Sequence, residues 1–207
     1  MFFFHIIIIY CILIEGVRLT EREIIYQKDG YTLRLTQKED AMEYYENNFN
    51  PIDPDIVRLT GSQSSYTQDE VVNFFISCID AKDRYDFVFI DPEGHIVGES
   101  VINEIDYELK SANFRIAIFH HQARGQGIGT WMIDQTLSFA FDVLKLHRIS
   151  LDVFSFNKRA IHIYEKVGFK HEGVLRDAIK DGDQYADDIL MSILEDEWRK
   201  MKSQKHP

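Results

Sequence analysis

Short stretches in which apolar and polar residues alternate predict several β-strands with one buried face. The alternation runs through "GYTLRLT" (30–36) and "ANFRIAIF" (112–119), and "RISLDVFSF" (148–156) reads as a further strand. Two pairs of segments flank short turn sequences. "YDFVFI" and "HIVGESVINEI" surround "DPEG" (91–94), and "FKHEGVL" and "QYADDILMSIL" surround "KDGD" (180–183), so each pair predicts a hairpin.

The polar and apolar spacing between these strands predicts helices. "TQKE" (36–39) and "TQDE" (67–70) have the spacing of capping boxes, so helices are expected to run from them to about residues 49 and 82. Residues 50–66, between the two, are rich in Pro and Ser and predict a loop long enough to carry function.

Two more helices are predicted in the second half of the chain. Apolar residues recur at helical spacing over 130–147, directly after a glycine-rich stretch. The segment 157–168 has Asn157 as its N-cap and Gly168 just beyond its C-terminus. The whole order of strands and helices predicts one α/β domain, with a mixed sheet covered by helices on both faces.

The first residues depart from this pattern. Residues 2–14 are nearly all apolar, yet a spanning helix needs about 18 to 20 such residues. No basic region or small-residue cleavage site indicates a signal peptide. Three interpretations stay open: upstream sequence without a role, a strand packed on the protein, or a weak membrane anchor.

Composition narrows the class of partner. The net charge of −11 argues against nucleic-acid binding, which needs a basic patch, and mildly favours a cationic partner. The two cysteines, Cys11 and Cys78, form no disulfide framework, which is typical of a cytoplasmic protein. The eight histidines are scattered without ligand spacing, so no metal is expected.

The stretch "ARGQGIGTW" places three glycines at alternate positions after Arg124, between a predicted strand and a predicted helix. Free N–H groups at a helix N-terminus bind pyrophosphate, and glycine lets the phosphate oxygens approach the backbone. The spacing fits neither a P-loop nor the dinucleotide-binding fingerprint. It therefore indicates a phosphate cradle of another kind.

Here the sequence resembles a known family. "RGQGIG" (124–129) is similar to the acyl-CoA pyrophosphate loop of the GNAT N-acetyltransferases. "NKRAIHIYEKVGF" (157–169) resembles the second signature of that family, and the C-terminal half looks most like the spermidine and ribosomal-protein N-terminal acetyltransferases. The resemblance covers residues 30–198, which leaves an apolar extension and lead-in (1–29) and a polar tail (199–207).

The resemblance implies a single-domain, mostly antiparallel sheet in which two central parallel strands splay apart. Acetyl-CoA would be the co-substrate, and its pantetheine arm would lie in the gap between these two strands. Backbone amides at the strand edge would polarise the thioester carbonyl. The cofactor-binding residues that the resemblance implies are Ile116, Ala117, Ile118, Arg124, Gly125, Gln126, Gly127, Ile128, Gly129, Thr130, Asn157 and Ala160.

Two catalytic residues are also implied. Tyr164 stands where the family often places the acid that protonates the leaving thiolate, although it also fits the apolar face of its helix. For the base, the acids of "GESVINEIDYE" are candidates, and Glu104 matches a position of the polyamine site in the spermidine enzymes. The acidic pair of those enzymes after the first helix is missing here, where the sequence reads "VRLTGSQSS".

The expected function is direct acetyl transfer to a primary amine, either a polyamine-like molecule or a protein N-terminus. A non-catalytic acyl-CoA sensor or scaffold is the alternative from another class. The location is expected to be cytoplasmic, without a membrane span, and a homo-oligomer stays open.

Overall fold

The computed structural model describes residues 25–124 and 127–205. Its strands are β1 (Ile25–Lys28), β2 (Tyr31–Leu35), β3 (Tyr85–Ile90), β4 (Ile96–Asp106), β5 (Ser111–Ile118), β6 (Arg148–Phe154), β7 (Lys170–Asp181) and β8 (Gln184–Leu194). Its α-helices are α1 (Ala41–Asn48), α2 (Pro54–Thr60), α3 (Gln68–Asp80), α4 (Ile128–Ser138), α5 (Lys158–Val167) and α6 (Glu195–Lys205).

All eight strands form one sheet in the order β1-β2-β3-β4-β5-β6-β8-β7. Neighbouring strands are antiparallel except β5 and β6, which are parallel. The β5–β6 register consists of three pairs, from Ser111↔Arg148 to Asn113↔Ser150. Beyond Asn113 the two strands diverge, which confirms the predicted mixed sheet with splayed central parallel strands.

The helices cover the two faces of the sheet. On one face α4 and α5 bury Met132, Ile133 and Leu137 against β-strand residues such as Phe87 and Ile149. On the other face α1 and α3 enclose a smaller apolar cluster that includes Tyr44, Phe75 and Val88. The sheet therefore has an α4/α5 face and an α1/α3 face, as the sequence order predicts.

The second capping box is confirmed and the first is wrong by one residue. Thr67 accepts from the Glu70 amide while the Glu70 carboxylate accepts from the Thr67 amide. In the first helix the equivalent pair is Gln37 and Asp40, and α1 begins only after a 3-10 turn at Lys38–Asp40. The reason is Arg34, which donates to both oxygens of Asp40 at 2.7 and 2.6 Å and fixes that carboxylate.

The predicted loop at 50–66 contains a helix, α2. Asp53 caps it by accepting from the Asp55 amide at 2.8 Å, and Pro54 occupies its first turn. Gly61 ends it with a φ of +68°, a left-handed conformation that suits glycine. These start and stop signals are present in the sequence. The helix was not predicted because it has only seven residues.

The ends of the domain differ in detail from the expected limits. β1 pairs with β2 and extends the sheet to Ile25. Helix α6 runs from Glu195 to Lys205, so part of the expected polar tail is helical, and Trp198 in it is buried against Phe141. The apolar residues 2–14 lie outside the described residues. Within the described ranges, no helix has the length and apolar character needed to cross a membrane.

Candidate active site

The parallel strands β5 and β6 open into a cleft beyond Asn113. Ile116, Ala117 and Ile118 pair with β4 on one side of β5, and the other edge of the strand borders the cleft. The β4 side is tightly packed, because a Cβ on Gly98 would lie 2.7 Å from the Ala117 carbonyl oxygen. The strand edge predicted to hold the pantetheine is thus firmly placed beside the opening.

Helix α4 begins where β5 ends, at the open end of the cleft. Its N-cap is Gly127, with a φ of +78°, and a Cβ there would meet no atom within 4 Å. Ile128 is buried, and a Cβ on Gly129 would lie 3.3 Å from Ile118 Cδ1. The backbone is therefore open at Gly127, the N-cap of α4, and a helix N-terminus stabilises an anion.

The structure describes only some of the other residues predicted to bind the pyrophosphate. Gly125 and Gln126 lie outside the described residues, and Thr130 in the first turn of α4 is partly buried. The assignment of these residues to the pyrophosphate stays a prediction.

Arg124 has internal partners in the structure. Its guanidinium donates to the carbonyl oxygens of Ile118 and Phe119, each at 3.0 Å, and lies 3.4 Å from Asp53 Oδ2. A further contact of 3.1 Å joins it to Nδ1 of His121. These contacts fix the end of β5 and link it to α2, so Arg124 shapes the loop, while its expected phosphate contact stays a prediction.

Asn157 and Ala160 form the start of α5. The Ala160 amide donates to Asn157 Oδ1 at 3.1 Å, which satisfies one free N–H of the helix terminus. The predicted N-cap is thereby confirmed. Contact of either residue with the co-substrate stays a prediction.

Tyr164 lies on the buried side of α5 and is only 8% exposed. Its ring packs edge-on against Phe114 of β5 and against Phe169. Burial, and after it the negative charge of Asp152, raises the pKa of the Tyr164 phenol well above its ordinary value. The phenol therefore stays protonated at neutral pH and can act as a proton donor.

The structure does not bring Glu104 to the same place. Asn103 pairs with Asn113, so Glu104 lies level with the closed part of the β5–β6 pair, away from the opening. The residue has a φ of +54° at an irregularity of β4 and is exposed. It borders a separate surface cavity with Phe74, Cys78 and Arg84. Its role as base stays a prediction that this register does not favour.

Sequence reasoning counted Glu99 among the candidate acids of β4 but missed its partner on the α1/α3 face, Tyr44. The Tyr44 hydroxyl donates to Glu99 Oε2 at 2.5 Å. Burial raises the pKa of both groups. The available signal was a glutamate in the middle of an apolar strand, but the partner 55 positions away could not be read from local pattern.

Two further acids lie on the α1/α3 face of the sheet, across the cleft. Ile149, Leu151 and Val153 of β6 point into the α4/α5 core, so Asp152 between them faces the other way. Asp188 of β8 pairs with Phe154 and shares that face. Burial, and then the charge of Asp152, raises the pKa of Asp188.

Helix α2 spans this side of the cleft. At one end Asp53 contacts Arg124 beyond β5. At the other, Arg58 donates to both carboxylate oxygens of Asp181 in β7, at 2.8 and 2.7 Å, and stacks 4.4 Å from the Phe156 ring centre. The helix therefore connects the two sides of the opening.

One group of side chains near α2 has donor atoms suited to a cation. The ligand atoms of Asp53, Asp55 and His121 lie within 4.8 Å of one another. The Arg124 guanidinium already lies beside Asp53, and it neutralises part of the charge that a metal would need. The arrangement of Asp53, Asp55 and His121 does not test the expectation that the protein binds no metal.

The strand pair β5–β6 thus opens beside a glycine-capped helix, and the buried Tyr164 packs on Phe114, the first residue of β5 beyond the paired part. The chain belongs to the acetyltransferase (GNAT) domain family, whose model matches residues 31–170. This confirms the family suggested by the two sequence signatures.

Among curated proteins, the chain is similar to the spermidine N(1)-acetyltransferase of Vibrio cholerae serotype O1. The two are 35% identical over 113 residues, which cover 54% of this chain and 64% of that enzyme. The match thus spans less than two thirds of the relative's length.

Solved structures extend the likeness to most of the chain. A crystal structure of the Vibrio cholerae spermidine N-acetyltransferase in complex with CoA and spermine matches with a TM-score of 0.74 at 28% identity, covering 83% of this chain and 99% of that one. A dodecameric structure of the Vibrio cholerae enzyme gives a TM-score of 0.69 at 28% identity, with coverages of 83% and 97%.

Proposed function

We propose that this protein is an acetyl-CoA-dependent N-acetyltransferase that transfers acetyl directly to a primary amine. The observation that carries the proposal is the cleft between β5 and β6, with the α4 N-terminus at its open end and Tyr164 buried beside it. The similar Vibrio cholerae structure in complex with CoA supports acetyl-CoA as the donor.

The donor has a matching surface for each of its parts. The free edge of β5 at Ile116, Ala117 and Ile118 offers backbone groups to the pantetheine amides and to the thioester carbonyl. The first turn of α4, starting at Gly127, offers N–H groups to the pyrophosphate. Both surfaces belong to one continuous segment, so they bind the two ends of one extended molecule.

The acetyl group moves in a single displacement. The amine nitrogen attacks the thioester carbonyl carbon, and the negative charge that develops on the carbonyl oxygen is stabilised by the β5 amides. As the C–S bond breaks, the Tyr164 hydroxyl gives its proton to the thiolate.

The acceptor is a polyamine-like cation. Glu99 on one side of the cleft and Asp152 and Asp188 on the other are acids on the α1/α3 face. In the described part of the chain, Oδ1 of Asp188 is buried without a hydrogen-bond partner, which suits an incoming ammonium group. The similar Vibrio cholerae enzyme, in complex with spermine, supports this acceptor class over a protein N-terminus.

Thiol release from acetyl-CoA across an amine panel tests the proposal. The panel contains a polyamine, a monoamine and a peptide with a free N-terminus. We expect turnover to be fastest with the polyamine. Tight acetyl-CoA binding with no turnover on any amine would instead support the non-catalytic sensor.

We also propose that the protein is a cytoplasmic homo-oligomer with its catalytic domain over residues 30–198. Val174, Leu175 and Tyr185 on the terminal β7–β8 hairpin are exposed large apolar side chains, which suit contact with a second copy. The dodecameric Vibrio cholerae structure supports self-assembly. Light scattering of the purified protein measures the state directly.

A further inference from the structure

The two faces of β5 separate two parts of the proposed reaction. Phe114 of β5 packs in the α4/α5 core, together with Ile116 and Ile118, and Tyr164 lies on that side. Ala117 packs on the α1/α3 face instead. A thioester held at the β5 edge therefore has Tyr164 on one side and the α1/α3 face on the other, where an amine can approach.

Glu99 lies on that second face at the level of the thioester. It pairs directly with Ala117, so the two side chains lie on the same face of the sheet. Neighbouring strands are about 4.8 Å apart, so Glu99 is one strand spacing from the edge that borders the cleft. One bridging water spans the remaining distance to an amine. Glu99 is partly buried on this face.

The Glu99 carboxylate is held and tuned by groups from several elements. Tyr44 of α1 donates to it at 2.5 Å. Burial raises the pKa of Glu99, and the Tyr44 hydrogen bond is the largest opposing effect. Asp86 of β3 raises the pKa further, while Arg115 of β5 and Arg84 lower it. The net effect is a carboxylate of raised proton affinity.

We propose that Glu99 accepts the proton of the acceptor amine and that Tyr44 positions the Glu99 carboxylate for that transfer. The inference rests on the proposed acetyl transfer. It replaces Glu104, which the register places beside the closed part of the strand pair.

The transfer balances without any further reactant. Glu99 takes one proton from the ammonium group, directly or through the bridging water, and the free amine forms the new C–N bond as the C–S bond breaks. Tyr164 gives one proton to the thiolate, which leaves as the free thiol. The nitrogen of the new amide loses its second proton, which replaces the proton that Tyr164 gave away, and Glu99 returns its own proton to solvent. One ammonium group and one thioester thus become one amide, one thiol and one proton.

Three matched Glu→Gln variants separate the candidates. Each removes one carboxylate and keeps the size of the side chain: Glu99→Gln, Glu104→Gln and, as a control, Glu93→Gln in the exposed turn between β3 and β4. We expect kcat of Glu99→Gln to fall about 10²- to 10⁴-fold, the usual value of general base catalysis, with an unchanged acetyl-CoA Kd. Glu93→Gln should behave as wild type.

Glu99→Gln with a kcat within about threefold of wild type would overturn the role of Glu99. A large loss in Glu104→Gln alone would give that role to Glu104. If the wild-type protein binds acetyl-CoA yet acetylates no amine, the proposed function itself is overturned. If both the wild type and Glu99→Gln are active, only the role of Glu99 is overturned.

Tyr44→Phe gives a second, independent readout. It removes the hydrogen bond that lowers the pKa of Glu99, so the pKa rises. The acid limb of the pH profile of kcat/KM should therefore move to higher pH, because the carboxylate loses a hydrogen bond that stabilises its charged form. A merely structural tyrosine would lower stability without moving that limb. An unmoved limb in folded Tyr44→Phe would overturn the proposal, even if Glu99→Gln failed to fold.

Discussion

The Tyr164 hydroxyl is the residue-scale feature on which the proposed chemistry depends. Its ring is packed between Phe114 and Phe169, so Tyr164→Phe removes the hydroxyl and keeps the packing. General acid catalysis contributes about 10²- to 10⁴-fold, and we expect kcat to fall by that amount while acetyl-CoA affinity stays constant. The measurement is kcat at saturating donor and acceptor.

Tyr164→Ala is the control for packing. Truncating a buried aromatic side chain costs about 3–5 kcal/mol of unfolding free energy, so the Ala variant should lose stability as well as activity. Near-normal turnover in Tyr164→Phe, with a defect only in Tyr164→Ala, would assign Tyr164 to packing.

Helix α4 is the element whose N-terminus should hold the pyrophosphate. Gly127→Val places a branched side chain in the open space at the N-cap, and we expect acetyl-CoA binding to weaken strongly in calorimetry. Part of any stability loss comes from the positive φ, which costs a non-glycine residue about 1–2 kcal/mol.

Gly94→Val is the matched control for that strain. Gly94 has a φ of +93° in the β3–β4 turn, and a Cβ there also meets no atom within 4 Å. We expect a similar loss of stability with normal acetyl-CoA affinity. Unchanged affinity in Gly127→Val would remove the N-cap from the donor site.

Helix α2 is the element that should cover the acceptor side. Arg58→Gln breaks the paired contact with Asp181 and releases α2 from the β7–β8 hairpin. We expect the amine KM to rise roughly three- to tenfold with an unchanged acetyl-CoA Kd, because loop order affects substrate capture. Arg199→Gln, which breaks the contacts of this α6 residue with Glu195 and Asp142, is the control. An amine KM equal to that of the control would exclude α2 from the acceptor site.

Most elements could be predicted because their signals are local. The Thr67 capping box, the turn at 91–94 and the Asn157 N-cap each lie within a few residues. The first capping box was misplaced because Arg34, in a strand, decides which acid closes it. The Tyr44–Glu99 pair could not be predicted, since it depends on how α1 packs on the sheet.

At the scale of the whole molecule, the folded protein should lose stability in acid, and part of that loss should arise from contacts among β6, β7 and β8. Arg148 of β6 and Ser192 of β8 both donate to Glu172 of β7 and lower its pKa to about 2. The folded pKa is below the ordinary value of 4.5, so this contribution is present above pH 4.5 and is lost as pH falls towards 2.

Glu172→Gln tests this contribution by chemical denaturation over that pH range. The stability difference from wild type should be greatest above about pH 4.5 and disappear near pH 2. A difference that stays constant across the range would contradict the assignment.

The apolar residues 2–14 should be dispensable for the chemistry of the whole molecule. Both family signatures and every proposed site residue come after residue 30. A chain lacking residues 1–14 is therefore expected to keep wild-type kcat and acetyl-CoA Kd. Loss of turnover in a folded, truncated product would show that this segment takes part in the site.

The most direct test follows the acetyl group itself from donor to acceptor. The wild-type protein is incubated with isotopically labelled acetyl-CoA and a polyamine, and the products are identified by mass spectrometry. The account predicts one labelled amide on a primary amine nitrogen for each CoA thiol released, with both lost together in Tyr164→Phe. Labelled acetyl-CoA that binds the protein and remains intact in the presence of every amine would contradict it.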